Sequence, residues 1–218
     1  MTPEELHHLA KQLSHPEGEF GIHLAENMNE MNIGMTRSAI SNLGLQANDV
    51  VMEIGHGNCG HLRELLRTAG NIKYEGFEIS ETMHDEAKRI NADLESEIAF
   101  TLYDGVRIPA PDHHFDKAFT ANTIYFWSDV VRMLNEISRV LRPDGIFCLT
   151  FAEKDSMEQM PFTDNVFNLY MPDDIEALLE QTDFQLMTTD RKYEEVTSKT
   201  GHHIKRHFVT MVLKKSVQ

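Results

Sequence analysis

Residues 50–62 read Val50-Val-Met-Glu-Ile-Gly-His-Gly-Asn-Cys-Gly-His-Leu62, a short apolar run followed at once by three glycines. The run has the length and the β-branched residues of a buried parallel strand. Gly55, Gly57 and Gly60 let the backbone turn sharply or lie flat against a ligand. The helical pattern over residues 63–69 adds a helix N-terminus, which offers unpaired N–H groups and partial positive charge. The stretch therefore predicts a nucleotide-binding corner made of strand, loop and helix.

Two kinds of nucleotide ligand fit such a corner. Gly55-x-Gly57-x-x-Gly60 matches the dinucleotide fingerprint, and Glu78 ends the next predicted strand, where a ribose-binding acid belongs. Glu53 lies inside the first strand, where we expect its carboxylate to face the ligand. A carboxylate there would repel a pyrophosphate and attract a cationic ligand. The sequence thus favours a cationic ligand, with an NAD(P)-dependent oxidoreductase as the alternative.

At this point the chain resembles the class I S-adenosylmethionine-dependent methyltransferases. Their first motif, apolar-apolar-Glu/Asp-x-Gly-x-Gly-x-Gly, is similar to Met52-Glu-Ile-Gly-His-Gly-Asn-Cys-Gly60, although the third glycine comes one residue late. The stretch Asn122-Thr-Ile-Tyr-Phe-Trp127 resembles a segment of the small bacterial "type 11" group, and residues 136–147 resemble its Glu-x-x-Arg-Val-Leu signature. The resemblance covers roughly residues 45–215 and implies S-adenosyl-L-methionine as the cofactor.

Composition limits the class of protein. At 218 residues and 25.0 kDa the chain can bury one full core. A net charge of −15 argues against a general nucleic-acid-binding surface, and no apolar run is long enough to span a bilayer. The start Met1-Thr-Pro-Glu-Glu-Leu6 has the pattern of a capped helix rather than a secretion signal. We therefore expect a cytoplasmic protein, a monomer or homodimer, that binds a small-molecule substrate and no membrane.

The resemblance implies an α/β fold, a Rossmann-like open sheet of seven mostly parallel strands, the last one antiparallel, with helices on both faces. We expect residues 45–218 to form this domain and residues 1–44 to form an N-terminal helical cap or lid. The expected strands are 50–54, 72–79, 98–103, 116–122, 146–152, 183–189 and 207–214. The expected helices are 3–13, 19–31, a third ending near residue 43 after a Met-rich break at 28–36, then 63–69, 80–94, 130–141 and 172–181. Residues 190–205 are expected to be an exposed hairpin connection.

The expected cofactor contacts follow from the ends of these strands. Glu78 can accept two hydrogen bonds from a ribose diol, and Ile79 would pack against the adenine. The resemblance assigns the adenine amino group to Asp104, although Asp104-Gly105 is also an ordinary turn signal. The predicted cofactor-binding residues are Glu53, Gly55, His56, Gly57, Asn58, Gly60, Glu78, Ile79, Asp104, Gly105 and Asn122.

The reacting end of the cofactor should face residues 122–127, because ligands lie across the carboxyl ends of parallel strands. Tyr125 and the two aromatics after it cannot share one face of a strand, so they either wall a pocket or pack in the core. Methyl transfer from a sulfonium needs an aligned acceptor and a dry site, and a general base is optional. The candidates for these catalytic duties are Asn122, Tyr125 and His23.

The predicted function is methyl transfer from S-adenosylmethionine to a small molecule by in-line displacement. The oxidoreductase alternative lacks a Tyr-x-x-x-Lys pair, since Tyr125 is followed four residues later by Asp129. A non-catalytic cofactor-binding module of the same fold is a second alternative. No metal site is predicted, because the adjacent histidine pairs diverge and His56 and His61 span a turn with no cysteine pair nearby.

Overall fold

A computed structural model of the chain describes residues 1–163, 166–197 and 203–216, and it shows one seven-stranded sheet. The strands are β1 (Val50–Ile54), β2 (Lys73–Glu78), β3 (Ile98–Leu102), β4 (Phe115–Ala121), β5 (Leu141–Ala152), β6 (Phe184–Thr197) and β7 (His203–Lys215). Their order across the sheet is β3-β2-β1-β4-β5-β7-β6. The pairs among β1 to β5 are parallel, and β7 runs antiparallel to both β5 and β6. The predicted fold class is confirmed.

Helices pack around this sheet. They are α1 (Pro3–Ser14), α2 (Gly18–Asn42), α3 (Leu62–Leu66), α4 (Glu81–Ile90), α5 (Val130–Val140), α6 (Lys154–Met157) and α7 (Pro172–Leu179). The start of α1 has the predicted capping box, in which Thr2 and Glu5 bond each other's backbone N–H. Among the described residues, no helix combines the length and the apolar character needed to cross a membrane.

The strand order fixes where a ligand can bind. From β1 the chain runs outward to β2 and β3, and it then returns to the other side of β1 to add β4 and β5. Such a reversal leaves a crevice at the carboxyl ends of the two central strands. The ends of β1, β2 and β4 therefore meet at one place, and the glycine loop follows β1 there.

Both faces of the sheet are buried, as expected for parallel strands between helices. Successive residues of β1 point to opposite faces, so Met52 joins one hydrophobic cluster and Val51 joins the other. Helix α2 contributes to both clusters, through Met35 in the first and Ala39 and Ile40 in the second.

The N-terminal region differs from the prediction, because α2 is one helix of 25 residues without the expected break at residues 28–36. The Met- and Asn-rich middle lacks a clear apolar period, but it also lacks proline, and its single glycine is tolerated within a helix. Gly34 permits a close approach, since a Cβ there would lie 2.7 Å from the carboxylate of Glu194 in β6. Contacts with the rest of the fold thus stabilise a helix that its own sequence favours only weakly.

Several element ends also differ. The expected connection at residues 190–205 is largely strand, because β6 extends to Thr197 and β7 begins at His203; residues 198–202 lie outside the described part of the chain. Its charges are accommodated by cross-strand pairs, such as the buried Arg206 with Glu194. Helices α3 and α4 end three and four residues earlier than predicted, and β5 begins directly after α5, with Asp144 in left-handed conformation at φ +64°.

The last two strands also hold α2. The hydroxyl of Thr210 donates to that of Ser38 over 2.9 Å, and Arg206 donates to the carbonyl of Met31 over 2.8 Å. The helix therefore bonds to β7, while its first half extends toward the glycine loop. The division into a cap of residues 1–44 and a domain of residues 45–218 stays a prediction.

Candidate cofactor and reaction site

The glycine loop uses its glycines in three different ways. Gly55 and Gly57 both have positive φ, +67° and +55°. A Cβ on Gly55 would collide with the side chain of Thr123, whereas a Cβ on Gly57 would meet nothing within 4 Å. A Cβ on Gly60 would collide with Asn29, so α2 crosses directly over this end of the loop. Gly57 is therefore the point at which a ligand can approach the loop backbone.

Glu78 connects this loop to the end of β2. Its Oε2 accepts the N–H of Gly57 over 2.9 Å, and its Oε1 accepts the N–H groups of Ile79 and Ser80 over 2.8 and 3.0 Å. The side chain is buried, and Ser80 itself caps α4 by accepting from Met83 over 3.1 Å. Glu78 is thus more than a helix cap, because it fixes a carboxylate beside the open side of Gly57.

Glu53 is buried rather than open to a ligand, and its expected cofactor contact stays a prediction. Its carboxylate is buried behind the loop, 2.9 Å from Nε2 of His61, and it also accepts a hydrogen bond from the Tyr74 hydroxyl. The alternation of β1 places Glu53 on the same face as Val51, and a buried carboxylate needs such partners. Burial lowers the pKa of His61, but the nearby carboxylates of Glu53 and Glu64 together raise that pKa above its ordinary value.

Cys59 stands where the resembled motif has its third glycine. It has φ +52°, a conformation that costs an L-residue about 1–2 kcal/mol. Its Sγ lies 3.2 Å from the Tyr74 hydroxyl, and burial raises the pKa of the thiol well above its ordinary value. We call Glu53, Cys59, His61 and Tyr74 the Glu53 cluster. The sequence did not predict it, because Glu53 was expected to face the ligand and Tyr74 joins the other three only when β2 pairs with β1.

The two other polar residues of the loop support its shape. Nδ1 of His56 lies 2.7 Å from the carbonyl of Gly57, so Nδ1 is the protonated nitrogen. Burial lowers the pKa of His56 and favours the neutral ring. Oδ1 of Asn58 accepts the N–H of Gly60 over 3.2 Å, which closes the turn. Their contact with a cofactor stays a prediction.

The residues expected around the adenine come together at the ends of β2 and β3. Ile79 is partly exposed, and a Cβ on Gly105 would lie 3.3 Å from its Cγ2. Oδ1 of Asp104 accepts the N–H groups of Val106 and Arg107, each over 2.8 Å, and these bonds lower the pKa of Asp104. The result is an apolar surface beside an exposed carboxylate, which suits a flat ring carrying an amino group.

Asn122 and Tyr125 form the end of β4. Asn122 has φ +61°, and its N–H donates to Thr150 over 2.9 Å. The hydroxyl of Tyr125 donates to Oδ1 of Asn122 over 3.0 Å, which leaves Nδ2 of Asn122 directed at Sδ of Met35, 3.3 Å away. Burial raises the pKa of Tyr125 above its ordinary value. The Tyr125 hydroxyl therefore orients the amide of Asn122, while the catalytic duties of both residues stay a prediction.

The other expected residues of this region are placed differently. Trp127 is buried and packs in the hydrophobic core, which was one of the two roles expected for it. Phe126 is half-buried, and its ring centre lies 4.8 Å from that of Phe167. The side chain of His23 is 66% exposed, and its Nδ1 lies 3.4 Å from the carboxylate of Glu26. The structure thus brings Asn122 and Tyr125 together and leaves His23 on the outer face of α2.

Comparisons with known proteins point to methyltransferases. A family model described as a methyltransferase domain matches residues 51–145. The 27-O-demethylrifamycin SV methyltransferase of Amycolatopsis mediterranei is 30% identical over 109 residues, which is 49% of this chain and 40% of that protein. The ubiquinone/menaquinone biosynthesis C-methyltransferase UbiE of Rickettsia bellii is 27% identical over 176 residues, 70% of this chain and 71% of that protein.

Among solved structures, a putative methyltransferase in complex with the Haloferax volcanii Trm112 methyltransferase activator superposes with a TM-score of 0.77. The match covers 89% of this chain and 95% of that one at 16% identity, so it shows the fold alone. The chain spans less than half the length of the rifamycin enzyme that it matches.

Proposed function

Because the chain belongs to the class I S-adenosylmethionine-dependent methyltransferases, we propose that it transfers a methyl group from this cofactor to a small-molecule acceptor by in-line displacement. The observation that carries the proposal is the bond from the Gly57 N–H to Glu78. It sets a fixed carboxylate beside the open face of a left-handed glycine, at the reversal point of the sheet. The oxidoreductase alternative is not favoured by the matched family and relatives.

The residues at the strand ends fit the cofactor. Glu78 would hold the ribose hydroxyls, and Ile79 with Gly105 would flank the adenine beside Asp104. The open side of Gly57 leaves room for the ligand against the loop backbone. When bound, the cofactor supplies a methyl group that its sulfonium has already made electrophilic.

The chain's own work is then alignment and exclusion of water. Asn122 offers an amide whose orientation is set by Tyr125, and a fixed donor of this kind can orient an acceptor. Orientation of two reactants can contribute up to about 7–11 kcal/mol to lowering a barrier. A neutral amine or a thiolate would need no further group, whereas an alcohol, a phenol or a carbon acceptor would need a base to take its proton.

The N-terminal helices are proposed to act as the cover of this site. Asn29 of α2 lies against Gly60, and Met35 lies against the amide of Asn122. These contacts lie at the ends of both β1 and β4, beside the open side of Gly57. A small acceptor fits such a covered cleft, and two named relatives, the rifamycin and the ubiquinone/menaquinone enzymes, are named for small-molecule methylation.

Calorimetric titration of the purified protein with S-adenosylmethionine, S-adenosylhomocysteine and NADH tests the proposal. We expect binding of the first two and none of NADH. A panel of small acceptors is then screened by release of S-adenosylhomocysteine. Binding of NADH alone would establish the oxidoreductase alternative, and cofactor binding without turnover on any acceptor class would favour the non-catalytic module.

A further inference from the structure

Behind the glycine loop, Glu53, Cys59 and His61 bring a carboxylate oxygen, a thiol sulfur and an imidazole nitrogen within 4.8 Å of one another. Their exposed fractions are 2%, 0% and 6%. The three residues come from the end of β1, the loop and the residue before α3, so the strand–loop–helix turn itself gathers them. Three kinds of side chain that zinc takes as ligands thus converge at one buried point.

We propose that the Glu53 cluster binds a single divalent transition-metal ion, with zinc as the ion that its ligands suit best. A thiolate ligand selects zinc-type ions over magnesium or calcium. Zinc bonds of about 2.0–2.3 Å place tetrahedral ligands roughly 3.3–3.8 Å apart. Since Nε2 of His61 is already 2.9 Å from Oε2 of Glu53, small side-chain movements suffice to admit the ion.

Tyr74 and His56 complete the surroundings. The Tyr74 hydroxyl bonds the Glu53 carboxylate and lies 3.2 Å from Sγ of Cys59, so it can orient two of the three ligands. A Cβ built on Gly76 would be 2.6 Å from Cδ2 of His56 and 2.9 Å from the Tyr74 hydroxyl, which places the His56 ring at the edge of the cluster. Nε2 of His56 is buried and has no hydrogen-bond partner among the described residues. A purely structural network would normally satisfy such an atom.

Binding is balanced in charge and protons. Zinc with one carboxylate and one thiolate is neutral, and neutral sites are favoured in a buried environment. Cys59 gives up one proton on binding, and His61 gives up a second where its imidazole is protonated. The ion would tie Cys59 and His61 to Glu53 and so fix the loop that carries Gly57. This site goes beyond the proposed methyl transfer, because it needs no bound cofactor.

Cobalt titration tests the proposal on the full chain. Protein stripped with a chelator is titrated with Co²⁺, whose bonds to thiolate give an intense charge-transfer absorption that histidine sites do not give. Cys148→Ala leaves Cys59 as the sole thiol of a chain with 2 cysteines. We expect this variant to show the band, to saturate at about one ion per chain and to lose the band when zinc is added.

Cys59→Gly is the matched variant, since glycine accepts the φ of +52° and removes the thiol together with its Cβ. We expect it to lack the band. The chain has 12 histidines that could hold metal at the surface, so equal zinc binding by wild type and Cys59→Gly would overturn the proposal. Absence of the band in Cys148→Ala would also overturn it, whether or not Cys59→Gly folds. Calorimetry with S-adenosylmethionine tests the proposed methyl transfer independently of the cobalt titration, so each proposal can be contradicted without the other.

Discussion

Tyr125 donates a hydrogen bond to Oδ1 of Asn122 over 3.0 Å and accepts one from the backbone N–H of Ala152 over 2.6 Å. One buried hydroxyl thus joins the carboxyl ends of β4 and β5. While both bonds hold, the amide of Asn122 keeps one orientation, with its N–H group directed at Met35. The orientation of the Asn122 amide therefore depends on a buried tyrosine at the neighbouring strand end.

Tyr125→Phe should lower kcat about 10- to 100-fold while leaving the affinity for S-adenosylmethionine within about a factor of two, because misplacement of an orienting group acts on the reaction step. The buried N–H of Ala152 loses its partner, which should cost about 1–3 kcal/mol in the free energy of unfolding. Steady-state kinetics and urea unfolding measure the two effects. Tyr170→Phe is the control at a half-buried tyrosine, and an unchanged kcat in Tyr125→Phe would remove this positioning role.

Two replacements of Asn122 distinguish the role of its side-chain amide from that of its backbone conformation. Asn122→Gly and Asn122→Ala both lack the amide and should lose activity equally. Because φ is +61°, Asn122→Ala should be less stable than Asn122→Gly by about 1 kcal/mol, the cost of a Cβ in left-handed conformation. Thermal unfolding compares the pair. A glycine variant with full turnover would show that the amide orients nothing.

Gly57→Ala places a methyl group in the space proposed for the cofactor. We expect a loss of about 1 kcal/mol in stability from the positive φ, and a loss of affinity for S-adenosylmethionine of at least about tenfold. Gly44→Ala is the matched control, because Gly44 has φ +61° and its Cβ would also meet nothing within 4 Å. If both variants bound the cofactor equally well, the ligand would not approach the loop at Gly57.

Glu78→Gln keeps the size of the side chain and removes its charge. One oxygen cannot accept all three backbone N–H groups, so stability should fall by about 1–3 kcal/mol and cofactor affinity should fall with it. Glu81→Gln, in the exposed first turn of α4, serves as the control. Calorimetry and unfolding are measured on both. A variant that loses stability but binds normally would place Glu78 in the loop scaffold alone.

The contacts of Arg139 should make the free energy of unfolding depend on pH. It bonds Glu136 and the carbonyls of Ile108 and Ala110, and its hydrogen bond to Glu136 lowers the pKa of that carboxyl below its ordinary value of 4.5. A lowered folded-state pKa stabilises the protein above about pH 4.5 and the effect is lost as pH falls through the folded-state value. The difference in unfolding free energy between wild type and Arg139→Met should therefore be largest near neutral pH and shrink in acid.

The check is urea unfolding at a series of pH values, with Arg67→Met on the exposed surface as the reference. A difference that stays constant from neutral pH to pH values well below 4.5 would show that Arg139 acts only through its carbonyl bonds and packing. In that case the bonds from Arg139 to the carbonyls of Ile108 and Ala110 would stabilise the fold, and the ion pair with Glu136 would not.

Much of the fold was predictable because its strands are short apolar runs bounded by turn residues. The long β6 was not, since Arg191 and Lys192 give it the polar pattern of a loop; Arg191 lies 3.1 Å from Glu153 and Lys192 lies 3.1 Å from Ser38. Such distant pairs leave no periodic signal in the sequence. The continuous α2 was missed for a similar reason, because its stabilising contacts come from residues far along the chain.

The candidate site divides in the same way. The proximity of Gly57 and Glu78 was predictable, since the glycine loop follows β1 and Glu78 ends the neighbouring β2. The direction of Glu53 was not, because both faces of a central parallel strand are buried and sequence alone does not tell which face meets the ligand. The contact of Cys59 with Tyr74 joins two residues 15 positions apart and depends on the register of β1 with β2.

The bond between Ser38 and Thr210 joins residues 172 positions apart. Because synthesis proceeds from the N-terminus, Ser38 leaves the ribosome long before Thr210, so this bond can close only after β7 has been made. The contacts of α2 with Gly60 and Asn122 involve earlier segments and can form first. Docking of α2 can therefore begin at the glycine loop and be completed at β7.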